Sequence, residues 1–452
     1  MASHQTIVVE LGSSRIKVGF AGESKPRRVF NGSAGSVDGV NDSFVSRACN
    51  WTSCFRYFSS PSSAVADGSP TITTVHEWEK SLYPLFSHML TSVLFIQRPS
   101  RHRMLLLIND AFPPHHFQEA LHRVLLDYLG LGGVWLANGG VFEGIYHLME
   151  GLPPSLPSAG RPKAHLLVDI GTHEARIVVS VTGSSILEDT YQSTMSGYKS
   201  FLRQVLTNYQ EMNENVDESE QSENVESQSP VVTLEDANAV AQAWVGLSSS
   251  TSDAAICGSK TISVNLPSLE HQQQTSAETA TTEIPIQPLL EAFHQVYLDY
   301  TDPSSLIYAV LSCVVSCPID YRKVVLQNVM LLGGGSVTLR HFGSTSAIES
   351  KDSTNGLAPQ LEMAASDACG ITRYSNMEKG KEEEKKEDMS SISRYHFQSL
   401  RGAVAGTAND KGERIGGVSI QYPDPFAADL AAWMGGSIMG KLDYKDNYRK
   451  KL

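Results

Sequence analysis

Two glycine loops, each entered from an apolar strand that ends near an acid, constrain this chain more than any other feature. The first is Ile7-Val8-Val9-Glu10-Leu11-Gly12-Ser13-Ser14, which runs on through Arg15-Ile16-Lys17-Val18-Gly19-Phe20-Ala21-Gly22. The second is His165-Leu166-Leu167-Val168-Asp169-Ile170-Gly171-Thr172. A glycine after such a strand lets backbone N–H groups approach an anion with no Cβ in the way, and the acid is placed to organise a hydrated divalent cation. One loop of this kind is a weak signal. Two in equivalent positions point to a pair of related half-domains facing each other across a phosphate. The other reading, of turns that keep their shape without a ligand, uses the same residues.

The rest of the chain supplies an α/β pattern around these loops. Residues 5–30 read as a hairpin broken at the glycine turn. Met104 to Ile108 is a short, wholly apolar run, as expected of a buried parallel strand, and Phe117, Leu121, Val124, Leu125 and Tyr128 follow at helical spacing. With the apolar Val134-Trp135-Leu136 this makes a βαβ unit of a mostly parallel sheet. Trp78, Leu82, Leu85, Phe86 and Met89 predict another helix, which Pro84 should kink or interrupt. The second half repeats the scheme, with strands at Leu166–Val168 and Ile177–Val181 and helices at Phe201–Tyr209 and Leu289–Tyr297.

Three stretches have the composition of loops: residues 31–70, residues 211–283 and residues 343–395. Within them, the segment 211–228 is acidic in a Ser/Gln/Asn background, and 246–283 is rich in Ser, Thr and Gln. The mixed charge run at 378–388 reads as a solvated loop or helix. The net charge of −13 argues against a nucleic-acid surface and against attraction to acidic lipid. Six cysteines show no CxxC pair and no metal-ligand spacing, which fits a reduced, intracellular chain. No apolar run is long enough to cross a membrane. A cytosolic protein is expected.

The loops resemble the two phosphate loops of the actin family, and further motifs in the same order are similar to it. Gly19-Phe20-Ala21-Gly22-Glu23 with Pro26-Arg27 looks like the stretch after the family's first loop. Ile319-Asp320-Tyr321-Arg322-Lys323, leading to Leu331-Leu332-Gly333-Gly334-Gly335-Ser336, is similar to its helix, strand and glycine turn at the adenosine, and Ala432-Trp433-Met434-Gly435-Gly436-Ser437-Ile438 to its carboxyl-terminal motif. The resemblance implies an α/β actin-like fold, the actin and sugar-kinase superfold, with two similar half-domains around a nucleotide cleft. It implies a small domain of residues 1–150 joined by 417–452, and a large domain of residues 151–416.

It also implies ATP or ADP with Mg2+ as a structural cofactor. The residues carried over are Gly12, Ser13, Ser14, Lys17, Asp169, Gly171, Thr172, Gly197, Gly333, Gly334, Gly335 and Ser336, with Glu10 and Asp169 meeting the metal through water. Several matches depart from the family. Glu10 is longer by a methylene than the family's Asp, and Thr172 stands where the family has a second acid. Asn138 and Arg176 stand where the family positions the attacking water with Gln and His, and Asn238 and Ala239 where Lys-Glu meets purine and ribose. A guanidinium cannot accept a proton, and loss of a water-positioning group costs on the order of 10²–10⁴ in rate, so hydrolysis is not expected.

Within the family, Ser316-Cys317-Pro318-Ile319-Asp320 and the short carboxyl end look most like the subunit at the pointed end of the dynactin filament. The expected partners are therefore the actin-like filament subunits of dynactin and other pointed-end subunits, and dynein indirectly. Residues 31–70, 211–228 and 246–283 would replace the pointed-end surfaces, and the opposite end keeps its motifs. That combination describes a cap. A nuclear scaffold of a chromatin-remodelling complex and an active actin-like ATPase are the alternatives.

Overall fold

The computed structural model describes residues 5–12, 15–31, 74–108, 113–150, 164–181, 184–217, 231, 233–250, 261–270, 282–340, 342, 356–369, 397–404, 407–408, 414–415, 417–423, 426–442 and 447–450. They belong to two compact units. One comprises Met1–Pro162, Ser180–Glu188 and Pro423–Leu452, the other Lys163–Val179 and Asp189–Tyr422.

In the first unit, β1 (Gln5–Leu11) and β2 (Arg15–Phe20) form an antiparallel hairpin, extended by β3 (Arg28–Asn31). Beyond β1, β4 (His102–Ile108) runs parallel to it and β5 (Gly133–Asn138) parallel to β4, so the sheet order is β3-β2-β1-β4-β5. The central strands carry unbroken apolar runs, Ile7–Val9 in β1 and Met104–Ile108 in β4, because both faces of the sheet are covered. Ile7, Val9, Met104 and Leu106 face a core completed by Trp78, Phe86 and Phe117, from helices α1 (Val75–His88) and α2 (His115–His122). Val8, Leu105 and Leu107 face the other way, onto Trp433 and Met439 of the C-terminal helix (Ala431–Lys441).

Of the kink or interruption expected at Pro84, the interruption does not occur: helix α1 runs through it. A capping box between Thr74 and Glu77 fixes its start, and the buried face of Trp78, Leu82, Leu85 and Phe86 outweighs the one hydrogen bond that proline removes.

The carboxyl-terminal motif is explained by this packing. Trp433 donates its indole N–H to the Val8 carbonyl at 3.4 Å, and Ser437 donates to Glu23 O at 2.8 Å while accepting from Gly22 N–H at 2.9 Å. The helix crosses α3 (Gly140–Glu150) so closely that a Cβ on Gly435 would collide with the Gly144 backbone.

The second unit repeats the topology of the first. Strand β6 (Ala164–Ile170) is flanked by β7 (Ala175–Val181) and then β8 (Ser184–Thr194) on one side. Two short additional pairs follow in the chain, β9 (Thr261–Val264) with β10 (Thr282–Pro285), and, further on, β12 (Thr407–Ala408) with β13 (Arg414–Ile415). On the other side of β6 lie the parallel strands β11 (Val329–Leu332) and β14 (Ile420–Gln421), giving the order β8-β7-β6-β11-β14. Helices α4 (Tyr198–Asp217), α5 (Leu234–Ser250), α6 (Gln287–Phe293), α7 (Leu306–Ser316), α8 (Ile319–Leu326), α9 (Gly333–Leu339) and α10 (Leu357–Ala368) complete it. Phe293 stacks on Phe342 at 4.3 Å between ring centres, with the Phe201 ring edge-on to both.

Several stretches read as loops contain regular structure. Helix α10 lies inside residues 343–395 and buries Leu357, Leu361, Ala365 and Ala368 along one face. The segment 211–228 begins within α4, and 246–283 holds the end of α5 and the strand β9. Tyr422 still belongs to the second unit, because Ile420 pairs with Val329 and Gln421 with Met330 in the β11–β14 ladder; the return to the first unit begins at Pro423. Residues 32–70 and the charge run at 378–388 lie outside the described residues. Among the described residues, no helix is long and apolar enough to cross a membrane.

Candidate functional site

The two loops have the same local geometry. In the first, the Gly12 N–H donates to the Arg15 carbonyl at 3.0 Å; in the second, the Gly171 N–H donates to the Glu174 carbonyl at 2.9 Å. Each turn therefore closes on the residue three positions beyond its glycine. In both, an acid precedes the glycine by two positions and a base follows it by five: Glu10 and Lys17, Asp169 and Arg176.

Glu10 and Lys17 face each other across the β1–β2 hairpin, with side chains only 8% and 7% exposed. The ammonium donates to Glu10 Oε1 at 2.5 Å and also to the backbone carbonyl of Asp429. The Asp429 carboxylate meets Arg15 at 3.3 Å, at the surface. An ammonium has three protons, and two of the Lys17 donors are directed at groups of its own unit. Ser13 and Ser14 lie outside the described residues.

In the second unit, Arg176 lies 3.8 Å from Asp169 and 3.5 Å from Glu174, all three nearly buried. Ser193 donates to Glu174 at 2.9 Å. The first turn of α4 ties down the loop: Tyr198 N–H donates to Gly171 O at 3.0 Å and Lys199 N–H to Thr172 O at 2.7 Å. Gly197 lies directly on the backbone of His173 and Glu174, where a Cβ would not fit.

The glycine run 333–335 meets the same loop. Leu332 is opposite Asp169 in the β6–β11 ladder, and the chain then turns at Gly333 with φ +85°. A side chain there would be strained and would collide with the Asp169 carboxylate and the Ile170 carbonyl. Gly335 also packs on Ile170, whereas a Cβ on Gly334 would meet nothing within 4 Å. Ser336 is buried and donates to Gly333 O at 2.8 Å. Asp169, Gly171, Thr172, Gly197, Gly333, Gly335 and Ser336 are thus gathered at one end of one sheet, while Glu10, Gly12 and Lys17 form the corresponding turn of the other unit.

The remaining matched positions have partners of their own. Asn138, at the end of β5, donates to the Gln118 side chain at 3.5 Å. Asn238 accepts from the Tyr198 hydroxyl at 3.0 Å, and burial raises the pKa of that phenol so that it stays protonated. Sequence reasoning missed Asp429, Glu174 and Tyr198. Asp429 acts partly through its carbonyl, which leaves no residue-type signal, whereas Glu174 could have been found from its place two residues before Arg176 on the same hairpin.

These residues do not suit a divalent ion. A carboxylate organises a hydrated cation through uncompensated charge, and here Glu10 already carries an ammonium and Asp169 a guanidinium. No cluster of three His, Cys, Asp or Glu able to hold a metal occurs among the described residues.

The loop pair, the repeated sheet topology and the glycine turn after β11 together lead to one family. The family model described as Actin matches residues 1–343 of this 452-residue chain, and the chain belongs to the actin family.

Proposed function

We propose that this actin-family protein is a non-catalytic subunit that terminates a short actin-like filament, in the manner of actin-related protein 10 (also called actin-related protein 11) at the pointed end of dynactin, and so supports dynein-driven transport along microtubules. The observation that carries the non-catalytic reading is Arg176. At the position that would serve the attacking water, a guanidinium is held between Asp169 and Glu174. It stays protonated at any physiological pH and cannot take a proton from water. ATP or ADP then acts as a structural ligand, without turnover and without a requirement for Mg2+. A ligand at about 1,000 times its dissociation constant adds about 4 kcal/mol to fold stability, which is sufficient reason to retain the glycine turns.

The capping part of the proposal is supported by what is kept. In the Asp320-Tyr321-Arg322 turn, Arg322 donates to Cys317 O at 3.0 Å and to Val315 O at 2.7 Å, fixing the entry to α8. This leaves Ile319 75% exposed beside the exposed Asp320, a surface available for a neighbouring subunit. Affinity purification of the full chain, read by mass spectrometry, tests the assignment. Co-purification of dynactin filament and pointed-end subunits is expected. Recovery of chromatin-remodelling subunits instead, or multiple-turnover phosphate release abolished by Asp169→Ala, would overturn it.

A further inference from the structure

Two helices of the first unit end in the same way. Helix α1 runs into a π turn at Met89–Val93, after which Leu94 N–H donates to Met89 O at 2.9 Å and Ile96 N–H to Leu90 O at 2.8 Å. Helix α2 runs into a π turn at Arg123–Tyr128, after which Leu129 N–H donates to Val124 O at 2.9 Å and Leu131 N–H to Leu125 O at 3.0 Å. Each cap places one residue in the left-handed region. After α2 that residue is Gly130, at φ +70°; after α1 it is Phe95, at φ +54°, the sole non-glycine with positive φ among the described residues. Glycine is the residue this position favours, and a bulky side chain there is strained.

The strain gains no packing. Phe95 is 79% exposed, whereas Leu94 and Ile96 on either side are buried. Its surroundings are polar and basic: it rims an open depression of about 570 Å³ lined also by Arg27, Arg98, Arg101 and His102, with no acidic residue in the lining. Arg27 is paired with Glu23 at 2.7 Å and lies over the Phe20 ring at 4.5 Å. His102 bonds the Arg98 carbonyl at 3.2 Å, while the Arg98 side chain is exposed. This cationic surface occurs on a chain whose net charge is −13.

We propose that Phe95 and the Arg98–Arg101 rim form a docking site for an acidic protein segment that carries an apolar side chain among its carboxylates. The ring supplies a rigid apolar anchor and the guanidinium groups pair with the carboxylates, the combination that recurs at binding hot spots. A strained, exposed aromatic ring has a distinctive signature: replacing it should help the fold and harm the binding.

The probes are fluorescein-labelled peptides of Asp and Glu around one Phe, with a Phe→Ser version and a Lys-for-acid version as controls, titrated into the full chain by anisotropy. The Phe peptide should bind and weaken with salt. Phe95→Gly should reduce its affinity about tenfold or more while raising the melting temperature by about 2–4 °C, and the double variant Arg98→Glu/Arg101→Glu should reduce affinity similarly. Failure of the Phe peptide to bind, unchanged binding to the Phe95→Gly chain, or a lowered melting temperature in that variant would overturn the proposal. Preferential binding of vesicles rich in phosphatidylserine over the peptide would overturn the choice of a protein partner.

Discussion

Replacing Lys17 by methionine keeps the length of the side chain and removes its charge, leaving Glu10 as a carboxylate that is only 8% exposed with its ammonium partner gone. Breaking a buried pair by removing one partner costs about 3–5 kcal/mol, because the remaining charge is uncompensated. For a unit of this size about 2–4 °C corresponds to each kcal/mol, so the first unit should melt about 6–20 °C lower. The assay is thermal unfolding of nucleotide-free protein by circular dichroism, with the two units treated as separate transitions where they resolve. The double variant Glu10→Gln/Lys17→Met should recover most of the loss, since neither partner then leaves a buried charge. Arg15→Met supplies the surface control: its pair with Asp429 is 55% exposed on the arginine side and contributes at most about 1 kcal/mol. An unchanged nucleotide-free midpoint for Lys17→Met, with loss of nucleotide binding alone, would show that Lys17 is a phosphate ligand rather than the counterion of Glu10.

Burial pushes the Cys369 thiol up to about 12 and the Cys317 thiol to about 11, and raises the Cys313 thiol well above its usual value. In native protein at pH 8 all three should therefore resist iodoacetamide, checked by peptide mass spectrometry, and react once the chain is unfolded. Burial and then the nearby Arg449 lower the pKa of His122. The unfolded chain binds that proton first, so stability should be full above about pH 7 and fall as the pH drops through the usual histidine range; His122→Gln should flatten that part of the melting-temperature profile. Excess EDTA should leave the melting temperature of purified protein unchanged within about 1 °C, and a drop of several degrees would show a stabilising divalent ion.

How far the sequence could be read depended on where the physical signal lay. The β1–β2 hairpin, β4, β5 and β6 were legible because they are short apolar runs ending at glycines or acids. Helix α10 was not: its buried face mixes two leucines with alanines, a serine and a glutamine, which gives little hydrophobic contrast, and it sits between residues of loop composition. The continuity of α1 through Pro84 was not legible, because local propensity was weighed without the buried face that holds the helix together. At the loops, the acids and glycines were visible, but the pairings were not. Lys17 and Arg176 were read one position at a time, against a phosphate and a water. Their equal spacing from Glu10 and Asp169, and the hairpin that brings each pair together, emerge only when the two turns are compared. The Asp429 carbonyl reaches Lys17 from 412 residues away in the chain, and no local pattern announces it.

Growth of end-labelled actin-like filaments in the presence of the purified chain tests the proposed role most directly. The account predicts one molecule bound at the pointed end, growth arrested there, and growth at the other end unaffected. Incorporation along the filament, or continued growth beyond a bound molecule, would contradict it.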